Sequence, residues 1–477
     1  MFSFKINKKA IAILLLSGCT LSSCRKLVEI GPPVNQVGLD QAFASDATAT
    51  SAILGLYNAS SVRSVLFPMT ELPGLSSDEL QNNIPSAFYD EFGSSAITIT
   101  NSLVENTLWY NNYGSLNQAN AMLAGIERSN TLSTAVKNQL MGEARVWRAF
   151  VLFQLVNYFG DVPMPLTDDP IGNATLARTP AATVWAQVIK DLTEAQGLLT
   201  DAYPSALRGR INKQVANALL ARAYLYTRDY KNAEATASLV INSGLYSLNK
   251  DLNSVFSNTS NEIIWQLATI TGLSIYTTNA DNSGGSFAAP AGTIPGVTLK
   301  DTIYNTFEAG DLRKANWVAR TPIAGSNYNV ITKYKLRVLP SGATTGTEFN
   351  VMLRYAEQFL IRAEARAQLG ANANAIADLD SIRSRAGLPM LDNSLGKAAL
   401  LAAVEQERKA ELFGEWGHRW FDLKRTPSLV SPADKTRADD VMSVLRPATW
   451  NSTDILYPIP DAQRVANPAL TQNPGYK

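Results

Sequence analysis

Apolar residues recur at helical spacing along much of the chain. Leu140, Ala144, Trp147, Val151 and Leu155 fall at i, i+4, i+7, i+11 and i+15, which places them on one face of a helix. Phe150 and Phe153 widen that face, so the helix is apolar on more than one side and is expected to be buried. Gly160-Asp161-Val162-Pro163 should end it, because Gly permits the turn and Pro removes a donor. Similar patterns predict helices from about Asp46 to Leu66, from Thr183 to Leu199 and from Lys213 to Thr227. The stretch 68–100 mixes Pro, Gly, Ser and Asn with Phe88, Tyr89 and Phe92. It reads as a surface loop with a short strand at Ala96 to Thr100.

The region near residue 220 has repeat character. Leu220, Ala221 and Tyr224 sit on one helix, Asp229-Tyr230 make a turn, and Ala233, Ala237 and Val240 sit on a second. That spacing fits a tetratricopeptide unit of about 34 residues, in which small residues let paired helices approach closely. A second unit follows later. Phe359, Ala363 and Ala367 lie on one helix, Gly370 turns the chain, and Ala375, Leu379 and Ile382 lie on the next. Residues 246–350 interrupt the array. They contain a strand-like run, Glu262 to Leu267, then a Gly-, Ser- and Asn-rich segment, and their breakers argue for long loops on a helical scaffold. The tail from Tyr457-Pro458-Ile459-Pro460 onward reads as irregular.

The N-terminus changes this picture from a free globule to an anchored one. Lys5, Lys8 and Lys9 precede the apolar stretch Ala10 to Leu16, which is too short to span a bilayer, since that needs about 20 apolar residues. It suits a bacterial secretory signal. The only two cysteines follow, in Leu16-Ser17-Gly18-Cys19 and Leu21-Ser22-Ser23-Cys24. Both match the pattern of a lipid-acceptor cysteine, an aliphatic residue and two small residues before Cys. Cys24 is preferred, because an acceptor at Cys19 leaves a very short apolar run and Cys24 leads directly into Arg25-Lys26. Cleavage there would leave no free thiol as nucleophile or metal ligand. A disulfide between the two is disfavoured, because cleavage removes or modifies one partner. Residues 25–45 then read as an extended tether. No later segment is apolar enough to cross a membrane.

Composition excludes several classes. The 477 residues are 46% hydrophobic and 17% charged, an ordinary globular balance, and 42 Lys and Arg against 41 Asp and Glu give a formal charge of +1. A near-neutral chain gives no electrostatic case for nucleic-acid binding. The single histidine, His418, lies beside Trp416 and Trp420 and is read as packed between aromatics rather than as a general base. One His and no free Cys make a zinc site improbable, and no phosphate- or dinucleotide-binding Gly motif is present. Glu407, Glu411 and Glu415 recur at i, i+4 spacing and need cationic partners, from Arg408 and Lys409 or from another helix. Glu405 is expected to pair with Lys409, Glu357 to lie near Arg354, and Glu364 to be flanked by Arg362 and Arg366. Such mixed signs brace helices. No metal, cofactor or catalytic residue is assigned.

A binding protein for neutral, hydroxyl-rich ligands needs flat apolar faces for C–H surfaces and amides for hydroxyls. Loop positions supply both, at Asn82, Asn83, Phe88, Tyr89, Tyr276, Asn279 and Phe287. Trp109, Trp147, Trp265 and Trp420 fall at helix or strand positions and are assigned to the core.

Several blocks now resemble one family. They are Cys24-Arg25-Lys26-Leu27-Val28-Glu29 with Pro32-Pro33, Glu143-Ala144 with Arg148-Ala149, and Tyr158-Phe159-Gly160-Asp161-Val162-Pro163. Leu353-Arg354-Tyr355-Ala356-Glu357 with Arg362-Ala363-Glu364-Ala365 and Ile382-Arg383-Ser384-Arg385-Ala386-Gly387-Leu388 follow. Then come Glu407-Arg408 through Glu411-Leu412-Phe413 and Glu415, Trp420-Phe421-Asp422-Leu423-Lys424-Arg425, and finally Gln472-Asn473-Pro474-Gly475-Tyr476. In number and order they resemble the SusD/RagB family of outer-membrane nutrient-uptake lipoproteins, over essentially the whole mature chain.

The resemblance implies a mainly α fold, a tetratricopeptide-like helical scaffold with an irregular loop-rich lobe containing short strands. The corresponding organisation is a signal peptide over 1–23, a lipidated tether over 24–45, helical regions over 46–245 and 351–477, and a variable lobe over 246–350. It implies a palmitate-type anchor at the outer membrane, surface exposure, and a SusC-like TonB-dependent barrel as partner, on which the protein acts as a lid. It implies a nutrient ligand, mostly a glycan. A peptide or another nutrient captured by the same lid is the alternative. A lipid-anchored hydrolase and a purely structural scaffold are the competing classes. The quoted blocks belong to the scaffold, and no ligand-binding position carries over by resemblance.

Overall fold

The computed structural model describes residues 39–60, 68–267, 292–336, 346–430 and 434–477. Cys19 and Cys24, and three of the expected ligand positions, Tyr276, Asn279 and Phe287, lie outside the described residues. The chain first forms α1 (Asp46–Ser60), α2 (Pro68–Ser76), β1 (Leu80–Asn82) and α3 (Ala87–Ser94). A helical array follows, with α4 (Asn111–Arg128), α5 (Thr134–Phe159), α6 (Ala181–Leu198), α7 (Lys213–Tyr226) and α8 (Tyr230–Ile241). The lobe contributes β2 (Ile263–Leu267), β3 (Val297–Leu299), β4 (Val318–Ile323), β5 (Ser326–Ile331) and β6 (Asn350–Arg354). The array then resumes with α9 (Tyr355–Gln368), α10 (Asn372–Arg385), α11 (Lys397–Leu412), α12 (His418–Arg425) and α13 (Arg437–Leu445).

Each helix from α4 to α10 packs on the next, and α8 packs directly on α9 although the lobe separates them in sequence. Small residues make the close approach possible. Ala216, Ala221, Ala233, Ala237, Ala363, Ala367 and Ala375 are all fully buried at the helix contacts. Local signals set the ends. Asn212 caps α7 by accepting from the Val215 amide at 3.1 Å, and Asp229 caps α8 through the Asn232 amide at 3.2 Å. α5 ends at Gly160, whose φ of +69° is open to glycine. Its apolar face meets Trp265 of β2, whose ring stands edge-on to Trp147 at 5.1 Å. Trp109, Trp147, Trp265 and Trp420 are all core residues, as their positions in the pattern suggested.

Three expectations are corrected. The stretch 68–100 is not a surface loop throughout, because every residue of α2 is buried. Its Pro, Gly and Ser content allows close packing rather than exposure: Pro73 lies against the turn at Gly417. Ala96–Thr100 forms no strand; it is held as a turn by Glu91, whose carboxylate accepts from the Thr98 amide at 2.9 Å and from Asn101 Nδ2 at 2.7 Å. The last residues of the expected extended tether are packed, with Leu39–Ala42 helical and Phe43 buried against Gly125, where a missing Cβ leaves room. The described residues of the lobe hold the short strands expected of it, between irregular segments. Its strands escape a period-two reading because β2, β3 and β6 are buried on both faces.

The lobe is tied down by two sheets. β1, β3, β5 and β4 form an antiparallel sheet in that order, so a strand from the N-terminal region pairs with the lobe, Leu80 opposite Leu299 and Asn82 opposite Val297. β2 and β6 form a two-stranded ladder, with Ile263 opposite Arg354.

Candidate functional site

The four expected ligand residues that are described sit together, at the exit of β1 and on the first turn of α3. Their amides are already engaged. Asn82 accepts from the Ile84 amide at 2.9 Å and donates through Nδ2 to the Ile84 carbonyl and to Asp90 Oδ1, both at 2.8 Å. Asn83 donates through Nδ2 to the Pro295 carbonyl at 2.9 Å and to Thr298 Oγ1 at 3.1 Å. Asn82 therefore fixes the turn and ties it to α3, and Asn83 joins it to β3, instead of presenting amides to solvent. Tyr89 is half-buried and its hydroxyl donates to Glu71 at 3.3 Å. Phe88 is different. Its ring is 42% exposed, while its own carbonyl accepts from Asn101 Nδ2 at 3.0 Å. The result is a preformed edge bearing one open aromatic face on a braced backbone.

Sequence reasoning missed the most exposed aromatic of the described residues. Tyr110 is 67% exposed. The available signal was its spacing from Tyr113 and Asn117, which at i+3 and i+7 share one helical face.

The carboxylates of Glu407, Glu411 and Glu415 are all engaged in ion pairs. Glu407 and Glu411 lie on α11, and Glu415 follows in the turn after it. Arg313 reaches Glu407 at 2.5 Å and Glu411 at 3.0 Å. Arg354 bridges Glu411 at 2.6 Å and Glu415 at 2.7 Å. Lys333 holds Glu415 at 2.5 Å, and Arg385 joins Glu411 to Glu262. Burial pushes the Glu411 carboxyl up, but the guanidinium groups of Arg385, Arg354 and Arg313 outweigh it and hold the group well below the usual carboxylate range. Burial pushes the Lys333 amine down to about 8 despite Glu415.

The partners are long-range rather than local. Glu405 pairs with Arg419 and Arg437, not with Lys409. Glu357 pairs with Arg222 rather than Arg354, and Glu364 with Arg425, while Arg362 and Arg366 turn to Asp378. His418 is buried, with burial and the nearby Arg222 holding its pKa well below the ordinary value, so the ring is neutral. It lies 3.9 Å from Glu357 and its Nδ1 has no hydrogen-bond partner among the described residues. Among the described residues, no group of three or more His, Cys, Asp and Glu side chains is placed to hold a metal ion.

Comparison with known proteins gives a consistent answer. Residues 271–476 match a family model described as the SusD family, and residues 70–225 match one described as starch-binding associating with outer membrane. SusD-like proteins P25 and P2 of Formosa agariphila are 23% and 26% identical, each aligned over 99% of this chain and all of its own length. Among solved structures, a SusD superfamily protein from Bacteroides vulgatus superposes with a TM-score of 0.76 at 21% identity, over 90% of this chain and 99% of its own. A laminarin-binding SusD-like protein superposes with a TM-score of 0.74 at 24% identity, again over 90% and 99%. These structural likenesses concern the fold.

Proposed function

Because the chain belongs to the SusD family, we propose that it is an outer-membrane glycan-binding protein, and not an enzyme. It captures oligosaccharide at the cell surface and hands it to a SusC-like TonB-dependent transporter, over which it acts as a lid. The observation that carries the reading is the open Phe88 ring on an edge whose backbone Asn82 and Asn83 have already locked. A preformed aromatic face loses little freedom on stacking against a sugar ring. A few such contacts, each about 1 kcal/mol, give modest affinity, which suits release to a transporter.

Chemistry and the comparisons support the reading further. The buried carboxylates of Glu407, Glu411 and Glu415 are paired with arginines and Lys333, and His418 is enclosed and neutral. One matching family model is described as starch-binding, and one structural neighbour as laminarin-binding. The Cys24 anchor would keep the lid beside its transporter. Tyr276, Asn279 and Phe287, which lie outside the described residues, remain proposed as ligand positions on residue type alone.

An affinity screen of the purified chain against starch and laminarin oligosaccharides and against peptides tests the ligand class. Binding to glycans but not to peptides is the expected result. Binding to peptides alone overturns the glycan assignment in favour of peptide uptake, and turnover of any glycan overturns the non-enzymatic reading. Co-purification with a barrel transporter tests the lid. Radiolabelled palmitate incorporation that is lost in Cys24→Ser and kept in Cys19→Ser tests the anchor.

A further inference from the structure

A second feature lies on the helical scaffold, in a cleft whose lining includes no residue of β1 or α3. Val104–Tyr110 form a π-helical turn that runs into α4, with the Asn111 amide donating to the Asn106 carbonyl five residues back. Such turns shift the register of a helix and recur at functional sites. Here Trp109 is turned into the core and Tyr110 out of it. Tyr110, Tyr113 and Asn117 then form a stripe along one helical face. Trp109 and Tyr113 rings lie 4.8 Å apart, and the Tyr113 hydroxyl donates to the Pro163 carbonyl at 2.8 Å, so the wall beneath the stripe is fixed.

Opposite the stripe stands the C-terminal helical turn Asp461–Ala466, carrying Gln463. Pro163 and Pro165 contribute apolar surface between them. Together these elements enclose a cleft of about 610 Å³, the size of a small-molecule site. Its polar groups divide into committed and free. Asn173 and Asn467 are spent on the Thr167 and Leu176 carbonyls. Asp168 is neutralised by Arg128 at 3.0 Å. Asn117, Gln463 and the Tyr110 hydroxyl make no side-chain hydrogen bond within the described protein, and the Tyr110 ring stacks on no other ring there.

An open aromatic face, two uncommitted neutral amides and no uncompensated charge match a neutral polyol ring. C–H faces stack on Tyr110 and hydroxyls reach Asn117 and Gln463. We propose that this cleft is a second, independent site for a neutral oligosaccharide, separate from the Phe88 edge. The proposal rests on the glycan reading for its ligand class, but not on the Phe88 edge itself.

Calorimetric titration of the full chain with laminarihexaose and with maltohexaose tests it. Two sugars per chain are expected with at least one of the two. Tyr110→Ala should abolish one of those events or weaken it at least about fivefold, Tyr110→Phe should restore its stacking component, and Asn117→Ala with Gln463→Ala should weaken the same event. Phe88→Ala should affect only the other. Tyr110 is largely exposed, so circular dichroism should confirm an unchanged fold. One sugar per chain, lost in Phe88→Ala and kept in Tyr110→Ala, overturns the second site and leaves the proposed function standing. Absence of binding to either sugar overturns both. A Tyr110-dependent event with a polyproline peptide but with neither sugar overturns the second site by assigning the cleft to peptide.

Discussion

Arg222 and Glu357 stand 135 positions apart in the chain and meet in a two-pronged ion pair, Nε to Oε1 at 2.7 Å and Nη2 to Oε2 at 2.6 Å. Both side chains are 2% exposed. The pair joins α7 to α9 across the inserted lobe, so one buried contact welds the two halves of the helical array.

Breaking it from one side leaves an unpaired charge in the core. Arg222→Ala should cost about 3–5 kcal/mol, read as a lowered urea midpoint. The double replacement Arg222→Met with Glu357→Leu should recover much of that loss, because no charge remains to be desolvated. Equal loss in the double variant would show that packing around the guanidinium, and not the charge, sets the cost.

Glu79 gives the stability a pH dependence. Burial pushes its carboxyl up to about 7, with Asp78 adding to the shift and the Gly414 amide opposing it. A group raised in the folded state contributes stability that is fully present below its unfolded value, near 4.5, and lost as pH rises through about 7. Glu79→Gln keeps the acceptor for Gly414 and removes the charge. Relative to the parent, it should gain on the order of 3 kcal/mol between pH 4 and pH 8. Urea midpoints across that range measure it, and a constant offset would refute the assignment.

Gly417 adopts φ of +71°, and a Cβ there would sit 2.7 Å from Pro73 Cβ. Gly417→Ala therefore combines backbone strain with a clash against α2, and should cost about 1–3 kcal/mol. Thermal unfolding reads this directly. A neutral substitution would mean that α2 can withdraw from the turn.

Phe88→Ala should reduce affinity for a bound oligosaccharide about fivefold and lower the melting temperature only slightly, since the side chain lies at the surface with 42% of the residue exposed. An equal change in melting temperature and affinity would assign Phe88 to the scaffold. Titration calorimetry paired with thermal unfolding separates the two.

The helices were legible because burial on one face imposes a 3.6-residue period, as from Leu140 to Leu155, and because alanines marked the paired units. The ion pairs were not legible. Helical spacing offers partners only at i+3 and i+4, and it suggested Lys409 for Glu405, whereas the actual partners Arg419 and Arg437 arrive by tertiary packing. α2 was hidden for another reason. Its Pro68-Met69-Thr70-Glu71-Leu72-Pro73-Gly74 composition resembles a turn, and only the neighbours that enclose it reveal a core element. At the candidate site, residue type pointed to Asn82 and Asn83 but could not tell an amide that binds ligand from one that binds backbone.

The ladder between β2 and β6 brackets the lobe where it leaves the array after α8 and returns to it at α9. Since α8 and α9 pack on each other directly, the intervening chain behaves as an exchangeable cassette. Part of that cassette is nevertheless pinned, because Arg313 and Lys333 supply buried cations to Glu407, Glu411 and Glu415, and β3 pairs with β1. Mutation at those anchors is filtered by whether the chain folds, as it is in the array. Freedom to vary is thus confined to the stretches between the anchors.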